Sequence, residues 1–160
     1  PPTCINNIVD EYTWNTVSTC LNNSSVPNKN VIRDNFSRFL IPISSGGKRN
    51  LQCVGFVIGI EASFGRNIEK ANADAKDYLA SPYPSGYTLV NNRNQVQVGD
   101  IAVWAGSAYG HMAVVIFATK DPEGKLQSIT TAESDGYSGT VAIRENIPFD
   151  NPSGFLRYSL

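Results

Sequence analysis

Two side chains stand out as a candidate nucleophile and base: Cys53 in NLQCVGFV and His111 in YGHMAVVIF. Cys53 opens a mostly apolar run, LQCVGFVIGIEASF (51–64), long enough for a buried helix. At a helix N-terminus the free N–H groups and the positive end of the dipole favour the thiolate, which is the nucleophilic form. A backbone N–H at the same place is positioned to hold an oxyanion. His111 is the sole histidine of the chain, and it follows a glycine at the mouth of a strand-like run. One imidazole suffices as general base beside a thiol, whereas zinc hydrolases commonly need two or three. A third element, AESDG (132–136), offers Glu133 and Asp135 on the same side of an extended chain. Either carboxylate could orient the imidazole, as a nucleophile–base–acid set requires.

The elements that must position these groups follow from patterning. The first forty residues alternate polar turns with helical segments, one around Ile5–Thr19 and one near Val31–Leu40. Pro42 and SSGGKRN (44–50) favour irregular backbone ahead of Cys53. Good helix formers in NIEKANADAKDYL (67–79) predict a further helix, ended by SPYPSGY. Short β-branched or aromatic runs then follow: 101–104, 112–118, 126–132, 141–146 and 155–159. DPEG (121–124) has the proline and glycine of a tight turn and predicts an antiparallel hairpin. Helices first and a strand meander afterwards make an α+β domain.

Composition narrows the classes. With 160 residues, 41% hydrophobic, and a formal charge of −1, the chain reads as one globular unit without the basicity that favours nucleic acid or an anionic membrane. It contains no apolar run long enough to span a bilayer, and PPTCINN lacks signal-peptide character. Cys4 and Cys20 flank one short segment, and closing that loop with a disulfide would contribute roughly 3 kcal/mol. Such a bridge belongs to an oxidising compartment and leaves Cys53 as the unpaired thiol.

The segments NLQCVGFV (50–57), VGDIAVWAGSAYGHMAVV (98–115), ITTAESDGYSGTVAIRE (129–145) and GFLRY (154–158) resemble the successive blocks of the CHAP family, the cysteine, histidine-dependent amidohydrolases and peptidases. The likeness covers about residues 46 to 160. It implies a papain-like fold of the NlpC/P60–CHAP type, with helices of the first half packed on an antiparallel sheet from the second. It also implies hydrolysis of peptidoglycan, between muramic acid and L-alanine or within the peptide stem or cross-bridge. By position, Cys53 matches the nucleophile, His111 the base and Glu133 the acid. Gln52 matches the glutamine of the family's Gln-Cys pair, and Asp135 stands where many members have asparagine. Glu133 is accordingly preferred over Asp135 as orienter. ISSGGKRNL (43–51) holds no carboxylate, unlike the calcium loop of some phage-derived members, so no metal or other cofactor is expected.

Residues 1–45 match no family block and are expected to form a helical N-terminal extension to a catalytic unit over 46–160. Trp104, Tyr109 and Tyr137, with Tyr83 and Tyr87, are candidates for a substrate groove. The expected partner is peptidoglycan, with no nucleic acid and no membrane, in a monomer that is secreted or held in the cell envelope; flanking wall-binding domains in a longer chain fit the same picture. Two alternatives stand beside this one: an NlpC/P60-type endopeptidase, which usually carries a second polar residue or histidine absent here, and a non-catalytic wall-binding module.

Overall fold

The computed structural model describes residues 5–7, 40–42, 49–51, 53–63, 65–135 and 140–159. Its frame is a seven-stranded antiparallel sheet. In chain order the strands are β1 (Ile5–Asn7), β4 (Tyr87–Leu89), β5 (Ile101–Trp104), β6 (His111–Lys120), β7 (Leu126–Asp135), β8 (Thr140–Pro148) and β9 (Gly154–Tyr158), arranged β1-β8-β7-β6-β5-β9-β4. A separate hairpin pairs β2 (Leu40–Pro42) with β3 (Arg49–Leu51), immediately ahead of the helix α1 (Cys53–Ser63).

Helix α1 is apolar almost all round, and such a helix is stable only when covered. Phe56, Val57, Ile58 and Ile60 are buried with Met112 of β6, Ala132 of β7 and Ile101 and Val103 of β5. A second cluster, including Ala102, Val115, Ile129 and Phe155, occupies the alternate positions of the same strands. Apolar residues at both parities explain why these strands read as near-continuous hydrophobic runs and not as a strict alternation.

Two buried charges tie the frame together. Glu61 of α1 accepts a 2.6 Å hydrogen bond from the Tyr87 hydroxyl and faces Arg66 at 3.8 Å, which joins the helix to the edge strand β4. Burial pushes the Glu61 carboxyl above its ordinary value, and Tyr87 and Arg66 oppose that rise. On the next strands, Arg157 of β9 grips Asp100 with both carboxylate oxygens engaged, at 2.8 and 2.7 Å. Asp100 also accepts from the Gln97 N–H at 2.9 Å. Breaking a fully buried ion pair costs about 3–5 kcal/mol, but Arg157 keeps access to solvent, which relieves part of that penalty. Asp100→Asn is therefore expected to lose about 2 kcal/mol, read in urea as a lower midpoint at unchanged slope.

Four sequence expectations need correction. Residues 67–79 do not form one helix: only Ala75–Leu79 are helical, as a 3-10 turn, η1. Asn67 turns its side-chain oxygen to the Glu69 N–H, Asn72 has φ +57°, and the Lys70 N–H donates to the Tyr78 hydroxyl. These local bonds compete with the α-helical ladder and outweigh the helix propensity of the alanines and lysines. Ile5–Asn7, expected to begin a helix, instead pair with Thr140–Ala142. Pairing satisfies the exposed backbone groups of β8, a gain that three residues of local propensity do not match. Arg49 and Asn50, read as irregular, and Leu51, read as the start of the helical run, form a strand by pairing with Leu40–Pro42. Leu40, expected to end the second N-terminal helix, instead opens β2; the remainder of the expected N-terminal helices lies outside the described residues, as do Cys4 and Cys20.

The other sequence-derived elements are present. Helix α1 and all five expected strands are found, and the Gly124 N–H donates to the Asp121 carbonyl in the β6–β7 turn.

Candidate active site

Cys53 is the first residue of α1, half-buried, with no acidic residue in the first turn to offset the helix dipole. Its position at the edge of the core places the thiol where α1 meets the start of β6. His111 is the first residue of β6, paired across the strands with Trp104. The two rings lie 5.3 Å apart, tilted by 47°. The Trp104 indole N–H is held by Asn151 Oδ1 at 2.9 Å, so the ring that packs on the imidazole is itself fixed.

Sheet register brings the acid to the base. Val114 pairs with Ala132. His111 lies three residues before Val114 and Glu133 one after Ala132, so both project from one face. His111 Nε2 and Glu133 Oε2 are 2.8 Å apart. The Cys53 side chain lies close enough to help raise the imidazole pKa, and with Nε2 engaged by the carboxylate, Nδ1 is the nitrogen left for the thiol. Burial, the largest single influence, disfavours the charged ring. The hydrogen bonds and charges of Cys53 and Glu133 together exceed it, and the His111 pKa is pushed up to about 9. The ring can thus carry a proton at neutral pH, which is the state that gives a proton to a leaving group.

Glu133 is buried although its strand was expected to end before it; β7 runs on through Asp135, which pairs with Thr140. The second oxygen of Glu133 meets Arg144 Nε of β8. Arg144 played no part in the sequence reading. Its signal was latent in the hairpin register, because Glu133 pairs with Ala142 and Arg144 stands two residues further on the same face. With the strand boundaries fixed at 135 and 140, that diagonal follows; with strands drawn at 126–132 and 141–146 it does not.

Gly110 is the other residue that sequence reading undervalued. Its φ is +74°, and a Cβ there would lie 2.5 Å from both the Lys76 amide nitrogen and the Trp104 carbonyl oxygen. Both obstacles are backbone, so neither can swing aside. The glycine lets the chain press between η1 and β5, where the Lys76 N–H donates to the Tyr109 carbonyl, and so sets the entry angle of His111. Gly110→Ala is expected to destabilise the fold by about 1–3 kcal/mol and to lower turnover roughly tenfold by displacing the ring. Thermal melts and steady-state rates on the same preparation check both numbers.

Of the remaining candidates, Tyr109 is exposed beside His111, and Trp104 is committed to packing on the imidazole. Tyr87 is buried with its hydroxyl on Glu61, so it belongs to the core and not to a groove. Tyr83 packs partly buried against the core. Gln52, Tyr137 and the side chain of Asp135 lie outside the described residues. Among the described residues, no cluster of three or more His, Cys, Asp or Glu side chains is arranged to hold a metal, and no helix is long and apolar enough to cross a membrane.

Among the described residues, an antiparallel sheet covered by one buried helix, with a cysteine at the helix start beside a strand histidine and that histidine bonded to a carboxylate, makes an α+β domain with a Cys–His–Glu constellation. The CHAP domain matches residues 43–135, more than half of the chain, and the chain belongs to that family. Among solved structures it is similar to a wild-type endolysin, LysIME-EF1, at 16% identity and a TM-score of 0.49, over 79% of this chain and 63% of that one. The chain therefore spans less than two thirds of that endolysin's length. No curated protein matches it.

Proposed function

We propose that the chain is a peptidoglycan hydrolase that cleaves an amide bond, with Cys53 as nucleophile, His111 as base and acid, and Glu133 as the group that orients the imidazole. The observation that carries this reading is the continuous contact from Cys53 through His111 to Glu133, inside the span matched by the CHAP domain. A papain-like layout, with the nucleophile opening a buried helix and the base opening a strand, accords with the same contacts.

In the proposed cycle the Cys53 sulfur attacks the carbonyl carbon of the scissile amide as the thiolate, its proton already held by His111. The carbonyl oxygen gains the negative charge, within reach of the backbone N–H of Cys53 at the start of α1. Collapse breaks the C–N bond as protonated His111 gives its proton to the departing amine, leaving a thioester on Cys53. Neutral His111 then takes a proton from water, whose hydroxide adds to the thioester. The second collapse releases the carboxylic acid and the Cys53 thiolate, with the proton from water left on His111. Glu133 holds the ring in one orientation and favours its charged form throughout.

The bond cleaved is either that between muramic acid and L-alanine or one in the peptide stem or cross-bridge, which places the site of action outside the cytoplasm. Mass spectrometry of products from defined muropeptides decides among these. The expected result is addition of one water across a single amide, abolished by alkylation of Cys53 and unchanged by a chelator. Products of glycan cleavage, or loss of activity in chelator with recovery on adding a metal, would overturn the reading.

A further inference from the structure

The structure assigns Arg144 as a positioning residue that clamps the Glu133 carboxylate from the neighbouring strand and so holds it on His111. This assignment rests on the proposed roles of Glu133 and His111. Three adjacent strands each contribute one member of a single row: His111 from β6, Glu133 from β7 and Arg144 from β8. Glu133 uses Oε2 for the imidazole and Oε1 for the guanidinium, so its two oxygens are divided between two partners on opposite sides. A carboxylate bound through one oxygen alone can still rotate about its last torsion, which is broad. Binding the second oxygen removes that freedom.

Charge and geometry make opposite demands on His111, and their magnitudes separate them. A positive guanidinium near the ring disfavours the imidazolium, but the Arg144 side chain is 56% exposed and its charge is strongly screened by water. The Glu133 side chain, at 4% exposure, delivers its effect through a buried hydrogen bond. The dominant consequence of losing Arg144 is therefore a carboxylate that spends less time on Nε2, and not relief of repulsion. Arg144→Gln should lower kcat about tenfold with KM unchanged, and Arg144→Lys, which keeps the charge but not the planar fork, should recover only part of that loss.

The chain has one histidine, so its imidazole can be titrated by NMR without assignment ambiguity. That titration gives a readout independent of any wall-degrading activity. In Arg144→Gln the His111 pKa is expected to fall, and in a Glu133→Gln background the further change Arg144→Gln should alter neither the pKa nor the rate by more than twofold, since the clamp then has nothing to hold. A His111 pKa that rises or stays fixed in Arg144→Gln, or rate losses that multiply in the double variant, would overturn the assignment. Wild-type protein that titrates as expected but leaves peptidoglycan intact would sink the proposed function alone.

Discussion

Cys53→Ala should reduce peptidoglycan hydrolysis by at least about 10⁴-fold, and His111→Ala should do the same, while both proteins remain folded. Among the described residues neither has a substitute: Cys53 is the only cysteine there, and His111 is the only histidine in the chain. The two losses should not multiply, because a thiol without its base and a base without its thiol fail at the same step. Folding is spared for separate reasons. Cys53 lies at the edge of the core, where removing one sulfur atom leaves no enclosed cavity, and His111 sits at a strand end where its side chain is partly open. Turbidity clearing and reverse-phase product analysis, with circular dichroism as the folding control, provide the measurement. Residual activity above about 1% in Cys53→Ala would remove the thiol from the mechanism. Recovery of Cys53 in a disulfide from fully active protein would do so too.

What the sequence disclosed and what it withheld divide along physical lines. Helix α1 was legible because eight successive apolar or small residues from Cys53 to Ile60 are too long a buried run for most other structures. The long strands β6 and β7 were legible from β-branched runs joined by a strong turn, DPEG. Residues 67–79 were misread because asparagine and aspartate side chains bond their own backbone, a preference that a sum of helix propensities does not register. The short edge strands β1, β3 and β4 were missed since three residues carry almost no period and exist only through their partners. The same distinction holds within the site. Cys53, His111 and Glu133 are reactive types in a resembling order, so they could be named before any contact was seen. Arg144 and Gly110 act through register and through the absence of a side chain, and both properties appear only once neighbouring strands are in place.

The pH dependence of the site tests the third member most directly. In the wild-type chain the rate should decline on the alkaline side as His111 loses its proton near pH 9, because the leaving amine is then released without an acid. Glu133→Gln keeps the shape of the side chain but removes its charge. Two of the influences that raise the His111 pKa, the hydrogen bond and the charge of Glu133, are weakened or lost, while burial continues to push it down. The alkaline limb should therefore move to lower pH, and turnover at neutral pH should fall roughly 10²-fold, short of the loss in Cys53→Ala because the thiol and ring still meet. Stability follows with a definite sign. A ring whose pKa is raised from 6.5 to about 9 on folding contributes stability that is fully present below pH 6.5 and lost as pH rises through 9. The melting temperature of Glu133→Gln should lie below wild type at pH 6 and approach it above pH 9. Asp135→Asn, which leaves the 2.8 Å bond between His111 and Glu133 in place, should change rate and limb little. An alkaline limb that stays fixed in Glu133→Gln but shifts in Asp135→Asn would transfer the orienting role to Asp135, with Cys53 and His111 unaffected.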